Sequence, residues 1–204
     1  DDLLAALNIV RAPIAVLGPD NSVVYANHAW AEAKGLERDR VTGVRPSEYY
    51  EGHRLAEFEA LLRRVRETSR PVHFRDTWQG QAYETGIKPL ENGRLLVVSN
   101  PVAAPAIGTL DGMASAEVVE IRHKSWGALS PLTDREREVL AHLASGKTIK
   151  RVADALGRSQ KTVEGHRDSI YRKLGANSRA ELATIAIQAG LTDPTPLGGD
   201  SSRN

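Results

Sequence analysis

The chain contains no cysteine, one methionine, and aromatic residues at only 5% of its 204 positions. Without a thiol there is no disulfide framework, no thiolate nucleophile, no cysteine-bound metal and no cysteinyl flavin adduct. With so few rings, the cores must be built from Leu, Val, Ile and Ala. No apolar run approaches the ~20 residues that a membrane helix needs, and no signal peptide opens the chain. Phosphate-cradling glycine loops, Gly-x-Ser-x-Gly elbows and zinc-hydrolase motifs are missing. So is the acidic pocket of a phosphorylated receiver. These exclusions argue against an enzyme, and for a protein of a reducing cytoplasm that does not touch the membrane.

What is present is ordinary for a globular protein: 41% hydrophobic and 26% charged residues, with length for one or two domains. The net charge of +1 conceals an asymmetry. Residues 1–127 carry 15 basic and 17 acidic side chains, whereas 128–193 carry 11 and 8. A mildly acidic front and a mildly basic back suggest two jobs.

The front, residues 1–102, mixes strand and helix signals. Pro13 to Leu17 and Ser22 to Tyr25 read as a strand pair around the Gly18-Pro19-Asp20-Asn21 turn. A short helix follows from Asn27 to about Gly35. A longer one is predicted from His53 to Glu67, with Leu55, Phe58, Leu61, Leu62 and Val65 at helical spacing. Three strands are expected next, at Val72 to Trp78, Gln81 to Ile87 and Arg94 to Ser99, divided by turns at Gln79-Gly80 and Glu91-Asn92-Gly93. Residues 103–127 read as a linker with breakers at Ala103-Ala104-Pro105 and Asp111-Gly112, partly helical from Ala114 to Trp126. Residues 194–204 read as a disordered tail.

That element order, with Val24-Tyr25-Ala26-Asn27 leading to Trp30 and Gly35, resembles a PAS domain. The resemblance implies an α+β fold: a five-stranded antiparallel sheet with helices over one face. Pro46 to His53 is similar to the stretch carrying the axial histidine of haem PAS domains. That makes His53 the candidate cofactor-binding residue, against the plainer reading of an exposed histidine near a helix start. No other cofactor is indicated, and the spacing of His28, His53 and His73 matches no metal motif.

The back segment, 128–193, carries the strongest signal. Thr133-Asp134-Arg135-Glu136 is a capping box opening a helix that Gly146 ends. Ile149, Val152, Ala153 and Leu156 form the apolar stripe of a second helix. Ser159 caps a third, with Val163, Ile170 and Leu174 facing inward and Gly175 closing it. Ser178 to Glu181 reads as a second capping box for a fourth helix. Helices two and three make a helix-turn-helix unit, whose second member fits a DNA major groove. Opposite its apolar stripe lie Lys161, Gly165, Asp168 and Arg172, with Glu164 at the edge. Lys161, Arg167, Arg172 and Lys173 can neutralise phosphates, while Ser159 and Thr162 supply hydroxyls. An acidic group on this face repels phosphate but can accept from cytosine N4. The fourth helix is apolar on more than one side, at Leu182, Ile185 and Ile187. That favours a dimer contact over burial in its own bundle alone.

The segment resembles the LuxR/NarL-type DNA-binding domain through Leu132-Thr133, Arg135 to Leu140, Gly146, Lys150, Val152-Ala153, Leu156, Ser159, Thr162-Val163, His166, Ile170, Lys173 to Gly175, Ser178 to Ala180 and Leu182. The resemblance implies an all-α four-helix module that binds two-fold DNA sites as a homodimer. The predicted DNA-contacting set then also takes in Thr148, Lys150 and His166. His166 is either a phosphate contact or a structural bridge between helices. Glu164, Gly165 and Asp168 depart from the basic or apolar residues common at those places in the family. The expected protein is a one-component transcription regulator whose PAS-like front senses a small molecule or partner. Duplex DNA, a second copy of the chain and RNA polymerase are its expected partners. The alternative is a constitutive DNA-binding factor whose front is only an interaction or dimerisation module.

Overall fold

A computed structural model describes residues 2–102 and 116–192. The linker breakers and the tail of the sequence reading lie outside the described residues. The chain divides into two units, Asp1–Asp76 with Tyr83–Lys124, and Thr77–Ala82 with Ser125–Asn204.

In the first unit, α1 (Asp2–Ile9) precedes β1 (Ile14–Leu17), β2 (Val23–Ala26) and α2 (His28–Lys34). Helix α3 (Gly52–Thr68) leads to β3 (Val72–Trp78), β4 (Gln81–Pro89) and β5 (Leu95–Pro101). A two-residue strand, β6 (Glu117–Val118), follows. The sheet order is β2-β1-β5-β4-β3-β6. β1 runs antiparallel to β2 and β5, β5 antiparallel to β4, and β6 parallel to β3. The expected strands are all there, and the sheet has one more.

That additional strand corrects the sequence reading. The part of 114–126 within the described residues is not a helix. Glu117 and Val119 donate their amides to the Pro71 and His73 carbonyls, both at 2.9 Å. Further along, Glu57 of α3 accepts from the backbone of Arg122 (2.9 Å) and His123 (3.2 Å). The open edge of β3 and one carboxylate therefore satisfy amides that a helix would have used. Helix α1 was not anticipated. Buried Asn27 donates through Nδ2 to the carbonyls of Leu7, Val10 and Ala12. Its Oδ1 accepts from Ile14 and caps α2 at Trp30.

On α3, Phe58, Leu61, Leu62 and Val65 are buried, as the helical spacing requires. On β3, Val72, Phe74 and Asp76 are buried while Arg75 between them is exposed. Asp76 pairs with buried Arg54, whose Nη1 also donates to the His123 carbonyl at 3.0 Å.

The second unit holds α4 (Asp134–Ala144), α5 (Ile149–Leu156), α6 (Gln160–Leu174) and α7 (Arg179–Gln188). Thr133, Thr148, Ser159 and Ser178 cap them, each accepting from the amide three residues on. One apolar cluster, including Val139, Leu140, Val152, Val163, Ile170, Leu182 and Ala186, joins all four helices. Burying each of the larger side chains contributes about 1.5–3 kcal/mol.

The unit starts before the expected boundary at 128. Ser125 exchanges hydrogen bonds with the β3–β4 turn: its amide donates to the Thr77 carbonyl (2.8 Å) and its carbonyl accepts from Gly80 (2.9 Å). Gly80 and Gly127 both have positive φ, +76° and +52°. A Cβ on Gly80 would stand 2.8 Å from the Trp126 oxygen, and one on Gly127 would overlap the Gln79 backbone. Trp126 lies beneath the Arg137 guanidinium, 4.7 Å from ring centroid to Cζ.

Candidate nucleic-acid interface

The orientation of α6 follows from its two fully buried residues, Val163 and Ile170. With these held inward, Lys161, Gly165, Asp168 and Arg172 stand on the opposite, exposed side, and Glu164 is exposed at its margin. Ser159 and Thr162 are exposed at the start of the helix, where Ser159 Oγ lies 2.8 Å from Thr162 Oγ1. Thr148 and Lys150 are exposed at the start of α5. His166 and Arg167 are half-buried on the flanks.

One carboxylate fixes α6 against α4. Glu136 Oε2 accepts from the Thr133 amide (2.8 Å), the Thr133 hydroxyl (3.1 Å) and Lys173 Nζ (2.7 Å). Its Oε1 accepts from Ser169 Oγ at 2.7 Å. Burial alone would raise the carboxyl pKa. The Lys173 ammonium, the Thr133 amide and the Ser169 hydroxyl outweigh it and hold the value down to about 2. Lys173, expected at phosphate, is thus engaged inside the module. Nothing in the spacing of Glu136 and Lys173 along the chain announces this pairing.

Two basic side chains that the sequence reading quoted without giving them a role, Arg135 and Arg179, serve backbone carbonyls. Arg135 donates to the Leu156 carbonyl at the end of α5 (2.9 Å), and Arg179 to those of Leu143 and Lys147 (3.1 and 3.0 Å). They tie the helix-turn-helix to its flanking helices. The second capping box is only half made, because the Glu181 carboxylate accepts from the Asn177 amide rather than from that of Ser178.

The three proposed dimer residues do not share one environment. Leu182 is buried to 2% exposure within its own bundle and offers nothing to a partner. This corrects that assignment: α7 lies against α4, which covers the Leu182 side. Ile185 is half-buried against the same cluster. Ile187, half-buried, lies outside the cluster.

His53 in the first unit is exposed, and its ring stacks on His123 with centroids 5.1 Å apart. An axial haem ligand needs a ring directed into an enclosed apolar pocket, so His53 does not fit that role. Among the described residues no cluster of three His, Asp or Glu side chains is arranged for a metal, and no helix is long and apolar enough to cross a membrane.

Residues 130–186 match the bacterial regulatory proteins of the luxR family, and residues 7–104 match the PAS fold. The chain joins a PAS fold to a LuxR-family regulatory domain. Within that domain it is 50% identical over 60 residues to the transcriptional regulatory protein YdfI of Bacillus subtilis, covering 29% of this chain and 28% of YdfI. It is 30% identical over 116 residues to the activator DevR/DosR of Mycobacterium tuberculosis, covering 57% of this chain and 49% of that protein. The chain thus spans less than half the length of either curated relative. Among solved structures it is similar to Vibrio cholerae VqmA in a ligand–DNA complex, at 25% identity and a TM-score of 0.51, over 96% of this chain and 90% of that one.

Proposed function

We propose that the chain is a one-component transcription regulator, in which the LuxR-family domain binds duplex promoter DNA as a homodimer under control of a small molecule or partner sensed by the PAS fold. The observation that carries this is α6, whose exposed row of Lys161, Gly165, Asp168 and Arg172, with Glu164 at its margin, lies opposite Val163 and Ile170, with the helix held against α4 through Glu136. A rigid helix with an accessible polar face is what the major groove admits. Exposed Ser159 and Thr162 at the start of α6, exposed Thr148 and Lys150 at the start of α5, and half-buried His166 and Arg167 on the flanks of α6 complete the proposed contact set. VqmA, similar along nearly the whole chain, has a crystal structure in complex with both ligand and DNA. That supports ligand control over the constitutive alternative. RNA polymerase is the further partner such a role requires, and the proposed location is the cytoplasm, beside the DNA.

The test is binding of the full chain to duplex DNA across a salt titration. Affinity falls steeply as salt rises, and Lys161→Ala weakens all sequences alike while lowering the log–log salt slope by about 1. An unchanged slope removes Lys161 from the phosphate contacts. A melting temperature unmoved by a library of small molecules, with DNA binding intact, favours the constitutive alternative.

A further inference from the structure

We infer that Asp168 is a positioning residue that holds the Arg167 guanidinium ready to read a guanine in the DNA site. The inference rests on the DNA-binding reading above and deepens it.

Successive residues of a helix point about 100° apart. Asp168 therefore stands on the exposed row while Arg167 starts from the flank. The carboxylate reaches across that angle: Asp168 Oδ1 accepts from Arg167 Nε at 2.9 Å and lies 2.8 Å from Nη2. Both donors belong to one edge of the guanidinium. At its far end Nη1, with no partner among the described residues, and the outer Nη2 hydrogen form a second fork. Guanine presents two acceptors, O6 and N7, to such a fork in the major groove. The two side chains are 38% and 67% exposed and border an open groove along the C-terminal half of α6, so the fork can be approached.

Charge selects the base over the phosphate. The Arg167–Asp168 pair carries no net charge and adds little to sequence-independent attraction, but it keeps its direction. It also accounts for an acidic residue on a surface meant for a polyanion, because the carboxylate is turned onto its neighbour. Exposed Glu164 has no such partner among the described residues, so the two acidic groups of α6 do different things. In the free protein an exposed pair of this kind is weak. Its effect belongs to the complex, where water leaves the interface.

The experiment uses the full chain and its Arg167→Ala, Asp168→Asn and double variants. Each is passed through selection from a randomised duplex pool and then titrated with the selected and a scrambled duplex. Matched melting temperatures establish that each variant is folded. Arg167→Ala is expected to lose about ten-fold preference for guanine at one position. Asp168→Asn should lose most of the same preference at the same position, yet bind the scrambled duplex more tightly because a negative charge is gone. The double variant should be no worse than Arg167→Ala. If Asp168→Asn keeps the guanine, loses it at another position, or adds its loss to that of Arg167→Ala, the positioning role is overturned while DNA binding stands. A chain that binds no duplex overturns the DNA-binding reading, and this inference with it.

Discussion

Each unit of the chain holds a buried carboxylate against a cation from another element, and the two are completed to different degrees. Glu136 receives four donors, three on Oε2 and one on Oε1, so both oxygens of the carboxylate are engaged. Asp76 gives only Oδ2 to Arg54, and its Oδ1 and the Arg54 Nε are buried without a partner. Nε is the donor beside Nη2, so a small rotation turns the one-armed pair into a two-armed one. A carboxylate held through both oxygens by donors from two helices is fixed in one geometry. An unfinished one has a second arrangement within reach, and Arg54 also donates to the His123 carbonyl. The fully engaged pair sits in the LuxR-family domain, and the half-engaged one in the PAS fold.

The largest expected effect is at the unfinished pair. Asp76→Ala leaves the Arg54 charge buried and uncompensated and should cost about 3–5 kcal/mol in urea unfolding of the full chain. The double change Arg54→Met with Asp76→Leu should recover most of that, because an apolar pair of similar volume removes both desolvation penalties. Glu136→Ala should cost about 2–3 kcal/mol by the same measurement, a little less because Lys173 is 30% exposed and regains water. Adding Lys173→Met should not restore it, since the Thr133 amide and the Ser169 hydroxyl still lose their acceptor. Equal recovery at both pairs would erase the distinction between them.

Acid sharpens the contrast. Glu136 is held at about 2, below its ordinary 4.5. Its contribution is therefore complete above about pH 4.5 and is lost as pH falls from there toward 2. Melting temperatures taken in steps from pH 6 to 3 should fall for the native chain, and fall less for Glu136→Gln. The smallest effect on stability, under about 1 kcal/mol, is expected of Ile187→Lys. That variant should lower occupancy of a two-fold DNA site more than that of a half-site. Equal effects on both would limit α7 to its own bundle.

The LuxR-family domain was legible because its signals are local. Thr133, Thr148, Ser159 and Ser178 each act three residues ahead, and the apolar stripes repeat within a turn or two. Errors arose where a side chain had a choice of partner. Glu181 took the amide of Asn177, one residue further out. Leu182 could not be told from Ile187 until α4 covered one side of the helix. In the PAS fold the strands were readable from their turns, but β6 depends on the edge of β3, more than forty residues earlier. Helix α1 is tied down by Asn27, whose amide reaches back as far as Leu7. The Glu136–Lys173 and Arg54–Asp76 pairs are set by packing, and no spacing rule along the chain connects their members.

The reciprocal contact of Gly80 and Gly127 has a consequence for synthesis. The second unit is assembled from two stretches of chain that leave the ribosome at different times. At about 5–20 residues per second, Thr77–Ala82 emerges several seconds before Ser125–Gly127. The hairpin tip is therefore already made when the segment that closes on it appears. A nascent chain whose β3–β4 turn has not yet formed offers Ser125 neither the Thr77 carbonyl nor the Gly80 amide to pair with.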